Sequence, residues 1–247
     1  MRKQDIEKED IEHIREAKRR IVFTMVWFGL AFLVSYFYSN DLLEFITAKG
    51  KSAGYEFVYI SPTEVLMAQL KITALAALVL TFPIIIFNLA AFIGPALEKG
   101  AISIILPAIF AVFMFGLGIA FSYLVLMPFV FNTLLDIGVT TDITAQVSVD
   151  NYISLYLTLL VSLGVVFELP ILSLILTKAG VLKTEIMKKG RKLAIIIALL
   201  LSALITPPDV FSQIIVTIPI LILYEISIRL CRGVEKKREK EELIQCV

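Results

Sequence analysis

The chain has 247 residues, of which 58% are apolar and only 18% charged, with a mean hydropathy of +0.88. A soluble domain averages about 45–50% apolar residues and about 25% charged ones. The apolar excess, gathered into long uncharged runs, excludes a soluble domain and points to an all-α polytopic membrane protein. The net charge of +1, with its charges segregated by position, gives no reason to expect a nucleic-acid partner.

Residues 1–20 carry seven bases and six acids and read as a charged amphipathic helix. The apolar run that follows is too long for a signal-peptide core, so no cleavable signal is expected. Six spans are predicted, at about 21–38, 64–97, 101–131, 151–177, 192–206 and 209–228, in a single integral membrane domain covering 1–247. Between the first two, Asn40-Asp41 opens a short interfacial helix closed by Gly50. Ser61-Pro62-Thr63-Glu64 reads as a capping box that opens span two. The run 101–131 has no polar turn and reads as one long helix. Gly100 and Gly180 are placed as terminators of spans two and four. Thr206 is read as the cap of the last helix, with Pro207 in its first turn and Asp209 at its positive end. Prolines 83, 107, 170 and 219 fall inside spans and predict curved helices and a concave face. The last two spans are short and imply local thinning of the bilayer or support from partners.

Lys and Arg divide by segment. Alternate segments, starting with the N-terminal one, hold 20 of the 23 bases, the others hold 2, and Lys71 lies early in span two. Loops with excess Lys and Arg stay cytoplasmic, so both termini are expected on the cytoplasmic side of the plasma (inner) membrane.

Functional chemistry is sparse. His13 is the single histidine, which removes HExxH zinc chemistry and histidine-based triads. Cys231 and Cys246 have no metal-ligand spacing and read as unpaired thiols. No cofactor, no metal and no enzymatic activity are expected. Glu168 lies inside span four, where a carboxylate costs about 2.5–3.5 kcal/mol on the insertion scale. It is either a protonated side chain hydrogen-bonded to a neighbouring helix or a polar point for a substrate or partner. Glu16 shares a helix face with Glu12 and can pair with Arg19 or Arg20. Alternatively, it presents a carboxylate to guanidinium groups at the membrane surface. Thr206, Ser212 and Gln213 place polar groups at the outer end of the short hairpin, for capping or for contacts between helices. Glu225 can reach the interface and is assigned no role.

Several stretches together resemble the TatC family, the core receptor subunit of the twin-arginine protein translocase. TPPDVFSQ followed by IPILILYEISI is the most specific piece. SPTEVLMAQLKI, FPIIIFNLAAFIGPAL, GLGIAFSYLVLMP and GVVFELP occur in the family's order, and EHIREAKRRI is similar to its amino-terminal helix. The resemblance implies six transmembrane helices in a curved, cupped arrangement. It implies twin-arginine signal peptides of folded cargo as ligands and TatA- and TatB-type single-span proteins as partners. Self-association, contact with membrane lipids and use of the proton-motive force follow as well. The family's signal-binding glutamate falls on Glu16. The next two residues are Ala17-Lys18 where the family has Leu-Arg, which keeps the charge but loses a bidentate guanidinium. The second signal-binding acid falls on Glu98 in the shortened loop PALEKGAIS. The implied signal-peptide set is Glu16, Lys18, Arg20, Phe92, Leu97 and Glu98. The partner cluster falls on Thr206 and Gln213, and the mid-membrane acid on Glu168. The competing reading from residues alone is a proton-coupled small-solute transporter using Glu168. An intramembrane enzyme is disfavoured because no second carboxylate faces Glu168.

Overall fold

In the computed structural model, the backbone is described for residues 2–93, 102–139, 146–206 and 209–245, and side chains for 15–91, 105–135, 146–206 and 209–236. Helix α1 (Arg2–Phe37) joins the charged N-terminal segment to the first apolar run without a break. Only 6% of its apolar window is buried within the protein, against 44% for the last helix, so α1 is peripheral. It packs on α3 (Pro62–Ile93). The run predicted as one helix over 101–131 is α4 (Ile102–Phe121), a π-helical turn (Ser122–Leu126) and α5 (Met127–Val139) in unbroken succession.

Span four is α6 (Val149–Val166) followed by α7 (Leu169–Lys178). Pro170 does more than bend this helix. It has no N–H for the Val166 carbonyl, and the helix stops and restarts across Phe167-Glu168. There the Glu168 N–H turns to Val165 O at 3.1 Å, while Ile171 and Leu172 donate to Glu168 O. Pro83, Pro107 and Pro219 lie within helices that continue through them.

A short helix α8 (Thr184–Lys189) follows Gly180, whose φ of +76° ends span four as predicted. Then come α9 (Arg191–Ile205), 15 residues long, and α10 (Val210–Gln245), which runs past Glu225 well beyond the predicted end of the last span. Among the described residues five helices are long and apolar enough to cross a membrane, and α9 falls below that length. At about 1.5 Å per residue α9 spans roughly 23 Å, short of a hydrocarbon core of about 30 Å.

The core is organised around α6, which packs against α3, α4 and α9. Ile153, Leu159 and Leu163 on α6 are fully buried, with Leu126 and Val130 facing the same cluster. Apolar side chains such as Phe23, Met25, Leu106, Phe113 and Leu204 instead point outward, as lipid-facing positions do.

The connections on the far side from the chain termini depart from expectation. The interfacial helix α2 (Ser39–Ser52) does not close at Gly50. It ends at Gly54, which adopts φ +100°. Gly50 is buried because a Cβ there would meet Phe57 Cζ at 2.5 Å. Phe57 belongs to a three-residue strand, β1 (Glu56–Val58), that pairs in parallel with β2 (Gln146–Ser148), with Phe57 opposite Val147. Neither strand was expected. β1 leads into α3 and β2 into α6, so the pairing starts two parallel helices side by side. Tyr55 anchors this cap. Its hydroxyl donates to Phe131 O at 2.6 Å, and burial pushes the phenol up to about 12, so it remains a donor.

The capping box is also rearranged. Ser61 Oγ accepts from Thr63 N at 3.4 Å, while Glu64 Oε2 accepts from Ile60 N at 3.3 Å and from Ser148 Oγ at 3.0 Å. Glu64 is thus structural, and it ties the start of α3 to the start of α6. Residues 97–101, with Gly100, and Pro207-Pro208 lie outside the described residues.

Candidate functional site

Three regions hold the residues singled out from sequence. The first is the charged half of α1. Arg20 Nε and Nη2 both reach Glu16 Oε1, at 3.0 and 2.6 Å, one helical turn apart. Both side chains are half-exposed. Lys18 lies about 200° around the helix from each of them and is exposed, so it does not share their face. Below the pair, Thr24 Oγ1 donates to Arg20 O at 2.9 Å and accepts from Asn88 Nδ2 of α3 at 3.0 Å. Between α1 and α3 lies a groove of about 590 Å3 that starts at Ala17 and Arg20. Of the predicted signal-peptide set, the structure brings together Glu16 and Arg20. Leu97, Glu98 and the Phe92 side chain lie outside the described residues.

The second region surrounds Glu168. Its side chain is 7% exposed, a buried position, where the sequence left open a hydrogen-bonded side chain or a polar point for a substrate or partner. Close approach of α4 to α6 explains the burial. A Cβ on Gly118 would lie 2.7 Å from Leu163 O and 3.0 Å from Phe167 Cβ, and one on Gly164 would lie 2.7 Å from the Phe115 ring. Small residues let two membrane helices touch backbone to backbone, and the carboxyl is enclosed beside that crossing. Phe115 in turn stacks on Phe82 of α3 at 3.5 Å between ring centroids. Glu168 Oε1 is buried with no hydrogen-bond partner among the described residues. A carboxyl with one unsatisfied oxygen in an apolar interface costs about 1–3 kcal/mol. The packing energy of neighbouring groups holds it there.

The third region is the α9–α10 hairpin. Thr206 does not cap α10. Its hydroxyl donates back to Ser202 O at 2.8 Å and is buried. Asp209 is the cap, accepting from Ser212 N at 2.7 Å, because a carboxylate at the helix start satisfies an N–H that has no partner within the helix. Ser202 and Thr217 share a 2.8 Å hydrogen bond across the hairpin, and Gln213 Nε2 donates to Leu199 O at 3.1 Å. Gln213 is half-buried, beside the exposed Val210 and Phe211. At the other end of the hairpin, Arg191 Nε meets Glu225 Oε1 at 2.8 Å, giving Glu225 a partner that sequence reasoning had not assigned.

One polar cluster was missed. Lys71 Nζ of α3 donates to both oxygens of Asp150, at 2.6 and 2.8 Å, and to Ser154 Oγ at 2.8 Å, both on α6. The available signal was charge: Lys71 is the one base left outside the segments between spans, and Asp150 opens span four.

Comparison with known proteins agrees with this geometry. Residues 12–219 match the family model described as Sec-independent protein translocase protein (TatC). The chain is 35% identical to a Sec-independent protein translocase protein TatC of Helicobacter pylori strain J99, over 95% of this chain and 93% of that one. It is 33% identical to the protein of the same name from Aquifex aeolicus, over 93% and 97%. A crystal structure of the twin arginine translocase receptor TatC superposes with a TM-score of 0.80 at 32% identity, over 90% of this chain and 99% of that one.

Proposed function

This chain belongs to the TatC family of Sec-independent protein translocase proteins, and we propose that Glu16 is where it receives the arginine pair of a signal peptide. In this reading both termini face the cytoplasm across the plasma membrane. The protein is the receptor and core subunit of a twin-arginine translocase for folded cargo, driven by the proton-motive force and without catalytic chemistry of its own. The observation that carries the proposal is the Glu16–Arg20 contact at 3.0 and 2.6 Å. In it one carboxylate oxygen, Oε1, accepts two N–H groups of a guanidinium, which supports reading Glu16 as an acceptor for an incoming arginine. An exposed i,i+4 pair of this kind is worth only about 0.3–0.5 kcal/mol. A ligand bringing two arginines therefore displaces Arg20 at little cost, and Glu98 is the natural acid for the second guanidinium.

TatA- and TatB-type single-span proteins are proposed to meet the α9–α10 hairpin. Thr206 already spends its hydroxyl within α9, so Gln213, flanked by exposed Val210 and Phe211, is the better contact. The short α9 supports this placement, because a helix below spanning length is stabilised by neighbours in a thinned bilayer.

The test is site-specific photocrosslinking from positions next to Glu16 and Glu98 to a signal peptide. An arginine-pair peptide should label and its lysine-pair variant should label far less. Equal labelling sinks the receptor reading. A second reading, proton-coupled solute transport, is favoured only by the buried, unpartnered Glu168 oxygen. Solute flux from the reconstituted chain alone, abolished by Glu168→Gln, would support it.

A further inference from the structure

A cavity of about 350 Å3 lies beneath the end of α2, on the far side of the protein from the chain termini. Lys49 and Ser52 line it from α2, Pro128 and Asn132 from α5, and Tyr152 and Tyr156 from α6. Its polar groups are unevenly satisfied. Three tyrosines are buried in this part of the fold, and two of them spend their protons on carbonyls: Tyr55 on Phe131 O at 2.6 Å and Tyr152 on Ile46 O at 3.5 Å. Tyr156 is 2% exposed, yet its hydroxyl has no hydrogen-bond partner among the described residues. A buried hydroxyl left unpaired costs about 1–3 kcal/mol, so an occupant of the cavity that accepts its proton is stabilised. Lys49 also lacks a carboxylate among the described residues. Its Nζ lies 3.4 Å above the centroid of the Tyr123 ring, a contact that fixes the ammonium and leaves its charge uncompensated. The exposed Asn132 amide has no partner among the described residues either, whereas Ser52 donates to Lys49 O at 2.8 Å.

The cavity therefore offers donors (an ammonium, a phenol and an amide), a single positive charge and no carboxylate among its lining residues. Its complement is a ligand rich in acceptors that carries one negative charge. The remaining lining includes Met127 and Phe131, so a bare inorganic ion would leave the apolar wall and most of the volume empty. Position then selects among organic monoanions. α2 has one buried face, around Ile46 and Thr47, and an exposed face with Asp41, Glu44 and Phe45, and an amphipathic helix of this kind lies at the headgroup boundary. Phosphodiesters are the acceptors concentrated at that depth. We infer that this cavity binds a singly charged phosphodiester, with Lys49 compensating its charge and Tyr156 donating to one of its oxygens. The ligand is the headgroup linkage of a phospholipid beside α2 or a soluble glycerophosphodiester. The site is separate from Glu16 and from the α9–α10 hairpin, and it holds whichever way the protein faces across the membrane.

The test uses the full chain in maltoside micelles, which carry no phosphate. Acylation of Lys49 by an amine-reactive ester is followed by peptide mass spectrometry, with Lys51, exposed and outside the cavity lining, as the internal reference. Dihexanoylphosphatidylglycerol should slow labelling of Lys49 relative to Lys51, and dihexanoylglycerol, which lacks the phosphate, should not. Glycerophosphoglycerol, the headgroup without its chains, separates the two sources: equal protection assigns the site to a soluble phosphodiester, and no protection assigns it to lipid. Tyr156→Phe keeps the ring and removes the donor. It should raise the lipid concentration needed for half-protection on the order of tenfold, the worth of about one hydrogen bond to a charged group. An unchanged thermal midpoint for that variant separates loss of binding from loss of fold. Ala53→Trp, which fills the cavity from its rim, should abolish protection. Absence of Lys49 protection by either phosphodiester in the unaltered protein overturns the inference, as does full protection retained in Tyr156→Phe. Equal protection by hexanoate also overturns it, because the site then takes carboxylates.

Discussion

Gly118→Ala tests whether the α4–α6 crossing is set by backbone contact. A Cβ at residue 118 would lie 2.7 Å from Leu163 O, 2.9 Å from Gly164 Cα and 3.0 Å from Phe167 Cβ. Ordinary carbon contacts lie at about 3.5–4.0 Å, so the helices must part by roughly 1 Å, and a gap of that size forfeits a quarter to a half of the dispersion energy along the seam. Two of the three obstructing atoms are main chain and cannot rotate away. Overpacking of this kind costs about 1–3 kcal/mol. Gly116, half a turn away on the same helix, has nothing within 4 Å of its added Cβ. Alanine there should be neutral, or stabilising by up to about 1 kcal/mol through helix propensity. Thermal unfolding of the purified full chain, followed by circular dichroism, should show Gly118→Ala lower by about 5 °C and Gly116→Ala unchanged or higher. Equal midpoints for the two variants would refute the backbone-contact argument.

The Lys71–Asp150 pair should show coupling. Lys71→Met strands a carboxylate half-buried between α3 and α6, so the Lys71→Met/Asp150→Leu double variant should be more stable than the sum of the singles by about 1 kcal/mol. Additive effects would mean that the pair contributes nothing. Glu168→Gln should leave unfolding stability unchanged or raise it by about 1 kcal/mol, because an amide cannot ionise and so removes the cost of a carboxylate in a buried site. A clear loss of stability would show that the carboxyl is held by bonds it does not display here, and export of a folded reporter would measure the cost to function. Gln213→Leu should weaken co-purification with a single-span partner and leave signal-peptide crosslinking intact. Unchanged co-purification would remove Gln213 from the partner surface.

Reading outward from residues worked where the physics is local. Long uncharged runs located the helices, because only a helix satisfies its own backbone in hydrocarbon. Gly180 was recognised as a terminator from its position after an apolar run, and its φ of +76° bears that out. The same reasoning failed at Gly50, where the glycine answers to the Phe57 ring above it and not to the end of its own helix. It failed again at Thr206. A threonine before two prolines fits a cap, but its hydroxyl found the Ser202 carbonyl one turn back and left the cap to Asp209. At the candidate site, Glu16 and its pairing with Arg20 were legible from i,i+4 spacing. Glu168 was legible as a costly charge, but its enclosure was not.

By itself, then, the sequence determined an all-α membrane protein, the approximate places of its spans, the asymmetry of its charged segments and its family. These are sums over neighbouring residues, and a bilayer converts such sums directly into structure. Only the tertiary structure decided which faces meet. It paired Lys71 with Asp150 across 79 residues, laid β1 beside β2, brought Gly118 onto the backbone of α6 and closed Glu168 inside that crossing. Each depends on atoms far apart in the chain approaching within a few ångströms, and no periodicity or charge count carries that distance.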